Sequence, residues 1–253
     1  INDLTGFTAA CYLRGVSWLS IPTTLLAQVD ASIGGKTGVN LPLGKNLIGA
    51  FHAPSAVFAD VSLLSSLPEE EFRSGMAEVI KYGLALDAEF FDWLENKADL
   101  ILLKDKEALH TMISWCAQIK ARIVNQDFRE ERVRMSLNFG HTLGHAIETA
   151  ANYKIRHGNA VAIGMMMAML LSLNYGLPKR VMERAQALLN KFSLPTDIPK
   201  GLSLGELIQN MTRDKKHSDK QRWILLNELG RYQIREDVEF NTIRPLLESM
   251  MAK

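Results

Sequence analysis

Two histidines four residues apart are the clearest sign of metal chemistry in this sequence. His141 and His145 lie in the segment NFGHTLGHAIE, residues 138–148. Side chains four positions apart share one face of an α-helix, and such a pair can present two imidazoles to one metal ion. Gly140 and Gly144 flank that face, where a glycine lets another backbone or a ligand come close. Two surface histidines on one helix would give the same pattern, so the pair indicates a metal site without establishing it.

A third histidine and a carboxylate could complete the ligand set. His157 precedes an apolar segment at a loop-to-helix junction, where a histidine more often caps the helix or lies on the surface. Glu78 lies among small and apolar residues in GMAEVIKYG, residues 75–83, and a buried carboxylate needs a partner. Lys81, three positions later, could be that partner, and a metal ion is the alternative. Two histidines, one carboxylate and an open fourth position form a common catalytic zinc site.

A glycine-rich segment, residues 30–46 (DASIGGKTGVNLPLGKN), indicates an anion site. Lys36, Lys45 and Asn46 lie among glycines, where backbone N–H groups can also point toward a phosphate. We predict a long loop that holds a ligand, although an exposed flexible loop would have a similar composition and the Walker spacing is absent. Four other cations could lie near the histidine motif: Lys120, Arg134, Lys215 and Lys216. The default interpretation of each is a solvated charge on the surface.

The elements that must position these residues fall into two parts. Residues 16–24 and 56–60 are rich in strand-forming residues, and each is predicted to be a strand. Pro68 followed by three glutamates predicts the start of a helix, and helical patterns continue to about residue 190. A hairpin and a last helix are predicted within residues 222–252. The sequence therefore predicts an α/β plus all-α fold, with the end of an α/β domain joined near residue 65 to a mostly helical domain.

Composition limits the classes of function. Apolar residues make up 47% and charged residues 23% of the 253 residues, and the net charge of +1 gives no basic field for nucleic acid. The longest apolar segment, residues 160–173, is too short to cross a bilayer and is predicted to be a buried core helix. Cys11 and Cys116 are not in a C-x-x-C pair, which favours a reducing compartment. We therefore predict a cytoplasmic protein that binds neither nucleic acid nor membrane.

Eight motifs together resemble those of the 3-dehydroquinate synthase family, and they follow the family's order over nearly the whole chain. They are DLTGFTAA from Asp3, YLRGV from Tyr12, IPTTLLAQVDASIGGKTGVN from Ile21, GKNLIGAF from Gly44, GMAEVIKYG from Gly75, LNFGHTLGHAIE from Leu137, HGNAVAIGM from His157 and DKK from Asp214. The resemblance implies that residues 1–65 are the carboxy-terminal part of a Rossmann-like NAD-binding α/β domain. Residues 66–253 would be a mostly helical domain that binds zinc and substrate.

The family converts DAHP, a seven-carbon keto-acid phosphate, into 3-dehydroquinate in the shikimate pathway, which leads to chorismate and the aromatic amino acids. The resemblance implies a lyase in which tightly held NAD transiently oxidises one hydroxyl and phosphate leaves by β-elimination. NADH then returns its hydride, and an intramolecular aldol step closes the ring. The implied cofactors are NAD and zinc, with cobalt as a possible substitute, and the implied assembly is a homodimer.

The resemblance also implies roles for the residues singled out above. Glu78, His141 and His157 correspond to zinc ligands, which places His145 near the departing phosphate instead of on the metal, in contrast to the spacing argument. The residues implied to contact substrate hydroxyls or to clamp its carboxylate are Asp30, Lys81, Lys120 and Arg134. Those implied to bind phosphate are Lys36, Asn46, Asn138, His145, one of Lys215 and Lys216, and Arg14 from the neighbouring subunit. Those implied to contact NAD are Asp3, Thr23, Thr24, Lys36 and Lys45.

Three other functions fit parts of the pattern. Another sugar-phosphate cyclase of the same superfamily would keep the zinc and NAD machinery with a different substrate, but Lys120 and Arg134 favour a substrate with a carboxylate. A metal-dependent alcohol or glycerol dehydrogenase and a non-catalytic helical fragment are more distant alternatives.

The chain departs from the family pattern at its start. Asn2 stands where the family usually has glycine, and the family's upstream NAD-binding strands are not in this chain. We therefore expect the cellular polypeptide to be longer by about 100 residues.

Overall fold

The computed structural model describes residues 1–41, 44–213 and 221–251, apart from the side chains of residues 44–46 and 213. These residues belong to two compact units. The first contains Ile1–Gly75 and Leu103–Arg134, and the second contains Met76–Leu102 and Met135–Lys253. The predicted boundary between functional domains at residues 65 and 66 stays a prediction.

The helices and strands follow the order expected for an α/β segment followed by helices. They are α1 (Asn2–Cys11), β1 (Leu19–Ser20), β2 (Lys36–Leu41), β3 (Gly44–Phe51), β4 (Ala56–Val57), α2 (Glu69–Leu86), α3 (Ala88–Leu102), α4 (Lys106–Gln126), α5 (His141–Ala150), α6 (His157–Leu173), α7 (Lys179–Lys191), α8 (Leu204–Arg213), β5 (Trp223–Glu228), β6 (Arg231–Arg235) and α9 (Phe240–Met250).

The first unit contains both predicted strands, each much shorter than the pattern suggested. β1 and β4 form a two-residue parallel pair in which Leu19 lies opposite Ala56. In the same unit, α4 begins at an Asp105 cap whose carboxylate accepts a 2.9 Å hydrogen bond from the backbone N–H of Ala108. The cap fixes the start of a helix whose buried face includes Ile119 and Ile123.

The prediction of a long glycine-rich loop over residues 30–46 is wrong for much of that range, because β2 and β3 form an antiparallel hairpin there. Lys36 pairs with Phe51, and Gly38 lies opposite Gly49. A Cβ at Gly49 would lie 2.2 Å from the carbonyl oxygen of Thr37, so glycine is needed for the close approach of the two strands. Gly49, which follows the predicted loop in sequence, therefore serves the packing of the two strands.

The second unit is built around α6, which is buried on all sides. Its residues from Ala160 to Met169 are all buried, as predicted for a core helix. The antiparallel strands β5 and β6 and the helix α9 lie where the terminal hairpin and last helix were predicted. No helix in the described part of the chain is long and apolar enough to span a membrane.

Candidate functional site

The backbones of α5 and α6 approach unusually closely at three glycines. Gly140 caps α5 with a left-handed backbone (φ +81°), and a Cβ there would lie 2.6 Å from Cγ of Met165. A Cβ at Gly164 would lie 1.8 Å from the carbonyl oxygen of Gly140 and 2.9 Å from the nitrogen of Gly144. The sequence-based expectation that Gly140 and Gly144 let another backbone come close is confirmed. The contact fixes α5 and α6 against each other near their amino-terminal turns, where His141 and His157 lie.

Glu78, His141 and His157 lie together in the second unit. Oε1 of Glu78 is 3.6 Å from Nε2 of His141 and 3.4 Å from Nε2 of His157. One ligand atom from each of the three residues lies within 4.8 Å of the other two. The Glu78 side chain is 1% exposed, against 13% for His141 and 30% for His157, so the cluster is buried on one side and accessible on the other. These residues come from three separate helices, α2, α5 and α6.

His145 lies beside this cluster without belonging to it. Its ring centroid is 5.2 Å from that of His141 and 6.4 Å from that of His157. Among the described residues, the only group that could hold a metal ion is formed by Glu78, His141 and His157. The geometry therefore differs from what the i, i+4 spacing alone would suggest. The role of His145 near phosphate stays a prediction.

The electrostatics of the cluster suit a cation. Burial opposes ionisation of Glu78, but the ion pair with Lys81 and the nearby His157 imidazole hold its pKa well below the usual range. Burial, together with the Lys81 charge, lowers the pKa of His141 to about 3. Burial also opposes protonation of His157, but the carboxylates of Glu148 and Glu78 beside it outweigh this effect and raise its pKa to about 10. The carboxylate is therefore ionised and His141 neutral, whereas a metal must displace a proton from His157.

The donor set fits a zinc or cobalt ion. One carboxylate and two imidazoles are typical ligands of a catalytic zinc ion. Oε1 of Glu78 is fully buried and has no hydrogen-bond partner among the described residues, which is costly unless another group satisfies it. The sequence-based alternative, that Glu78 simply pairs with Lys81, accounts for Oε2 and leaves Oε1 without a hydrogen bond.

Asp30 and Lys120 are brought together in the first unit. The Lys120 ammonium donates hydrogen bonds of 2.7 Å to Oδ1 and 2.6 Å to the backbone oxygen of Asp30. Arg134, in the same unit, is 2% exposed and donates to the backbone oxygens of Gly34 at 3.0 Å and Phe128 at 2.5 Å. The default expectation of solvated surface cations is thus wrong for Lys120 and Arg134, because each finds acceptors distant in sequence.

Lys36 forms an ion pair with Glu130, a residue that the sequence analysis did not single out. Glu130 has a left-handed backbone (φ +64°), which is unusual for a residue with a side chain. The Lys36 side chain remains about half exposed. No motif in the sequence marked Glu130, since its segment is simply rich in charges.

A pocket in the first unit brings together three of the predicted NAD contacts. Asp3, Thr23 and Thr24 line it, along with residues 18–22 and 38–40. Burial raises the pKa of Asp3. Nearby Asn2, which replaces the family's usual glycine, accepts a 2.6 Å hydrogen bond from the Ser20 hydroxyl. Asn2 thereby ties the start of α1 to β1.

Sequence models of one family match most of the chain. The model described as 3-dehydroquinate synthase N-terminal matches residues 1–74, and the one described as 3-dehydroquinate synthase C-terminal matches residues 75–217. The chain belongs to the 3-dehydroquinate synthase family. The family that the motifs predicted is thereby confirmed.

Curated relatives carry the same family name. The chain is 49% identical over 250 residues to the 3-dehydroquinate synthase of Colwellia psychrerythraea, covering 98% of this chain and 71% of that one. It is also 49% identical over 237 residues to the enzyme of Citrifermentans bemidjiense, covering 92% of this chain and 65% of that one. The chain thus spans about two thirds of the length of these relatives.

Solved structures of related cyclases share the fold. A 2-epi-5-epi-valiolone synthase from Streptomyces hygroscopicus subsp. jinggangensis, with NAD+ and Zn2+ bound, is 28% identical with a TM-score of 0.92, covering 98% of this chain and 70% of that one. A 2-deoxy-scyllo-inosose synthase complexed with carbaglucose-6-phosphate, NAD+ and Co2+ is 27% identical with a TM-score of 0.83, covering 98% and 71%. The predicted fold class is confirmed. Both relatives hold the two types of cofactor that the motifs predicted.

The remaining residues predicted from family resemblance are Asn138, Arg14 and those that lie outside the described part of the chain. Asn138 ends a 3-10 turn, Val133–Asn138, just before α5. Arg14 is exposed and follows Leu13 in the left-handed region, with φ of +64° and +48° respectively. Lys215 and Lys216 lie outside the described residues, as do the side chains of Lys45 and Asn46. The roles of all these residues stay predictions.

Proposed function

We propose that this chain acts as a 3-dehydroquinate synthase, a lyase that converts DAHP to 3-dehydroquinate and phosphate with NAD and a divalent metal. The observation that carries the proposal is the buried Glu78, His141 and His157 cluster within a chain of this family. The 49% identity to named 3-dehydroquinate synthases supports this substrate over those of the other cyclases, which are 27–28% identical.

Glu78, His141 and His157 would hold the metal, and the pocket lined by Asp3 and Thr24 would hold part of NAD. When bound, the metal supplies Lewis acidity toward a substrate oxygen, and NAD accepts and returns one hydride. The chain's own contribution at the metal is to keep Glu78 ionised. Lys81 does this through its buried ion pair. A substrate hydroxyl near the Lys81 ammonium would find a hydrogen-bond donor there.

Lys120 and Arg134 are proposed to bind the substrate carboxylate. Two hydrogen bonds to Asp30 fix the Lys120 ammonium, which has three donors. Bonds to the backbone oxygens of Gly34 and Phe128 fix the plane of the Arg134 guanidinium, which has five donors. Cations fixed in this way lose little further entropy when they bind an anion, so they suit recognition of a carboxylate.

Phosphate binding is proposed for Lys36, Asn46, Asn138, His145, one lysine of the 215–216 pair, and Arg14 of a second subunit. The half-exposed Lys36 is held by Glu130 and would have to share or exchange this partner to contact a phosphate. A homodimer is part of the proposal, and the exposed side chains of Tyr12 and Leu13 beside Arg14 support it. A cytoplasmic location is proposed too, and the free thiols of Cys11 and Cys116 are compatible with it.

The test compares two carboxylates of the second unit. Glu78→Gln removes the charge of the metal cluster, whereas Glu95→Gln removes a carboxylate that only pairs with Arg184. The cellular polypeptide that carries this chain is loaded with zinc, in its original form and with each substitution, and is supplied with NAD and DAHP. Phosphate release and zinc content are measured. We expect the original polypeptide and Glu95→Gln to release phosphate, and Glu78→Gln to lose both zinc and activity.

Two controls separate the rival functions. Glucose 6-phosphate lacks a carboxylate, so preferential turnover of this substrate would favour another cyclase. A dehydrogenase would accumulate NADH, whereas the proposed reaction regenerates NAD in each turnover. If the zinc-loaded cellular polypeptide that carries this chain releases no phosphate from DAHP in the presence of NAD, the proposal is refuted.

A further inference from the structure

Glu148 is a second buried carboxylate beside the metal cluster, and it is not among the ligands. It lies in the last turns of α5, is 4% exposed, and neighbours the buried Ala146 and Ile147. An ionised carboxylate at such a position needs hydrogen-bond donors to offset the lost hydration. Oε2 of Glu148 is 3.2 Å from Nδ1 of His157, so the imidazole supplies one donor.

The chain is turned so that His157 comes back to Glu148. After α5 ends at Ala150, Asn152 and Tyr153 both have left-handed backbones, with φ of +50° and +58°. The backbone N–H of Tyr153 donates a 2.8 Å hydrogen bond to the backbone oxygen of Glu148. Glu148 therefore holds this part of the chain at two points: its backbone oxygen bonds to Tyr153 in the turn, and its side chain bonds to His157 at the start of α6. Two consecutive left-handed residues cost free energy, so this geometry is maintained against a local cost.

The two histidines of the cluster are oriented by different acceptors. Nδ1 of His141 lies 3.2 Å from the backbone oxygen of Phe139, a neutral acceptor. Nδ1 of His157 lies at the same distance from the carboxylate of Glu148. In both rings Nδ1 faces an acceptor outside the cluster and Nε2 faces Glu78. With a metal on Nε2, the ring hydrogen would lie on Nδ1 and be donated to that outer acceptor. An acceptor on the outer nitrogen of a metal-binding histidine fixes its tautomer and raises its basicity.

We propose that Glu148 is a positioning residue of the metal centre, whose carboxylate holds the His157 ring with Nε2 directed toward Glu78. The inference rests on the proposed metal site and adds a residue that acts on it through a ligand. The outer acceptor of His157 is a carboxylate, whereas that of His141 is only a backbone carbonyl, so His157 has the stronger orienting partner of the two. Loss of Glu148 should therefore weaken metal binding even though all three ligands remain.

The test uses graded substitutions and measures metal binding directly. Glu148→Gln keeps an acceptor oxygen for Nδ1 and removes the charge, whereas Glu148→Leu removes both at similar volume. Glu95→Gln is the matched control, since it removes a partly buried, ion-paired carboxylate of the same unit that does not contact the cluster. Zinc affinity is measured by competition with a chelator, the visible spectrum is recorded with cobalt, and thermal unfolding is followed without metal.

We expect Glu148→Leu to bind zinc roughly 10–100-fold more weakly, the usual effect of losing such an outer partner. Glu148→Gln should fall between it and the original chain, and its cobalt spectrum should change less. Glu95→Gln should bind zinc unchanged, even if it unfolds at lower temperature. Unchanged zinc affinity in Glu148→Leu, whatever its melting temperature, would overturn the inference.

Two further outcomes are also decisive. If Glu148→Leu does not fold, Glu148→Gln decides alone, and a zinc affinity and cobalt spectrum equal to those of the original chain overturn the inference. If the unaltered chain binds no zinc, the proposed metal centre itself is refuted. Zinc binding that is indifferent to Glu148 refutes only the positioning role.

Discussion

Gly164→Ala tests whether the close approach of α5 and α6 holds the metal cluster together. The added Cβ would lie 1.8 Å from the carbonyl oxygen of Gly140, about 1.6 Å short of the 3.4 Å at which ordinary contact begins. It would also lie 2.9 Å from the backbone nitrogen of Gly144. Both neighbours are backbone atoms, so no side chain can rotate away, and one helix has to move relative to the other.

The cost of this substitution can be set against its gain. Overpacking a close contact costs about 1–3 kcal/mol, and more where backbone must shift. Alanine recovers about 0.5–1 kcal/mol of helix propensity over glycine. Because backbone must shift here, the upper cost applies, and the net loss of about 2–2.5 kcal/mol corresponds to a melting temperature lower by roughly 4–10 °C in a protein of this size. Metal binding should suffer more, because ligand distances tolerate only about 0.2 Å of change.

The assay is calorimetric melting of metal-free protein together with zinc affinity by chelator competition. Gly205→Ala in the first turn of α8 is the control, since its Cβ would meet only Oγ of Ser203 at 3.6 Å, an ordinary contact. We expect this control to melt at or slightly above the original temperature and to bind zinc unchanged. If Gly164→Ala behaves like the control in both measurements, the α5–α6 contact does not set the geometry of the cluster.

Three other substitutions test separate parts of the site. His157→Asn should abolish stoichiometric zinc binding while His145→Asn retains it, as measured by metal analysis after dialysis; the reverse result would assign the metal to the i, i+4 pair. Arg134→Lys keeps the charge and loses the fork, so DAHP binding should weaken by roughly 1.5–3 kcal/mol; unchanged DAHP kinetics would argue against this clamp. Burial opposes ionisation of Asp127, but backbone N–H groups of residues 131, 132 and 134 lower its pKa below the ordinary 3.8. The pKa of Asp127 is lower in the folded than in the unfolded state, so ionised Asp127 stabilises the fold relative to Asp127→Asn. This difference in stability should be present above pH 3.8 and should disappear as pH falls through the folded-state pKa. Urea unfolding at several pH values measures it, and a difference in the free energy of unfolding that grows on acidification would contradict the reasoning.

The metal cluster shows which features of a site a local sequence pattern can predict and which it cannot. The helical spacing of His141 and His145 was correct as geometry, because both lie on α5. Spacing could not show that the turn after α5 brings His157, at the start of α6, to Glu78. That information came from the resemblance of whole motifs to a family. The metal roles of these residues stay predictions, although the cluster itself is observed.

Other features escaped the sequence analysis for identifiable physical reasons. Lys120 and Arg134 were expected on the surface by default, and their acceptors at Asp30 and Gly34 are too distant in sequence for any local pattern to reveal. The β2–β3 hairpin was hidden by glycines that also suit a ligand loop. Glu148 could have been found, since it follows Ala146 and Ile147 in the way that Glu78 follows small and apolar residues.

The three residues of the metal cluster come from three separate helices, with Glu78 more than 60 residues before His141, so an unfolded chain does not present them together. A cation held by them would act as a cross-link across those helices, and its binding would be a property of the native state alone. By mass action, free zinc at 100 times its dissociation constant would then add about 2.7 kcal/mol to the free energy of unfolding. The thermal midpoint of this protein would therefore depend on the free metal concentration, and a chelator would lower it without breaking a covalent bond.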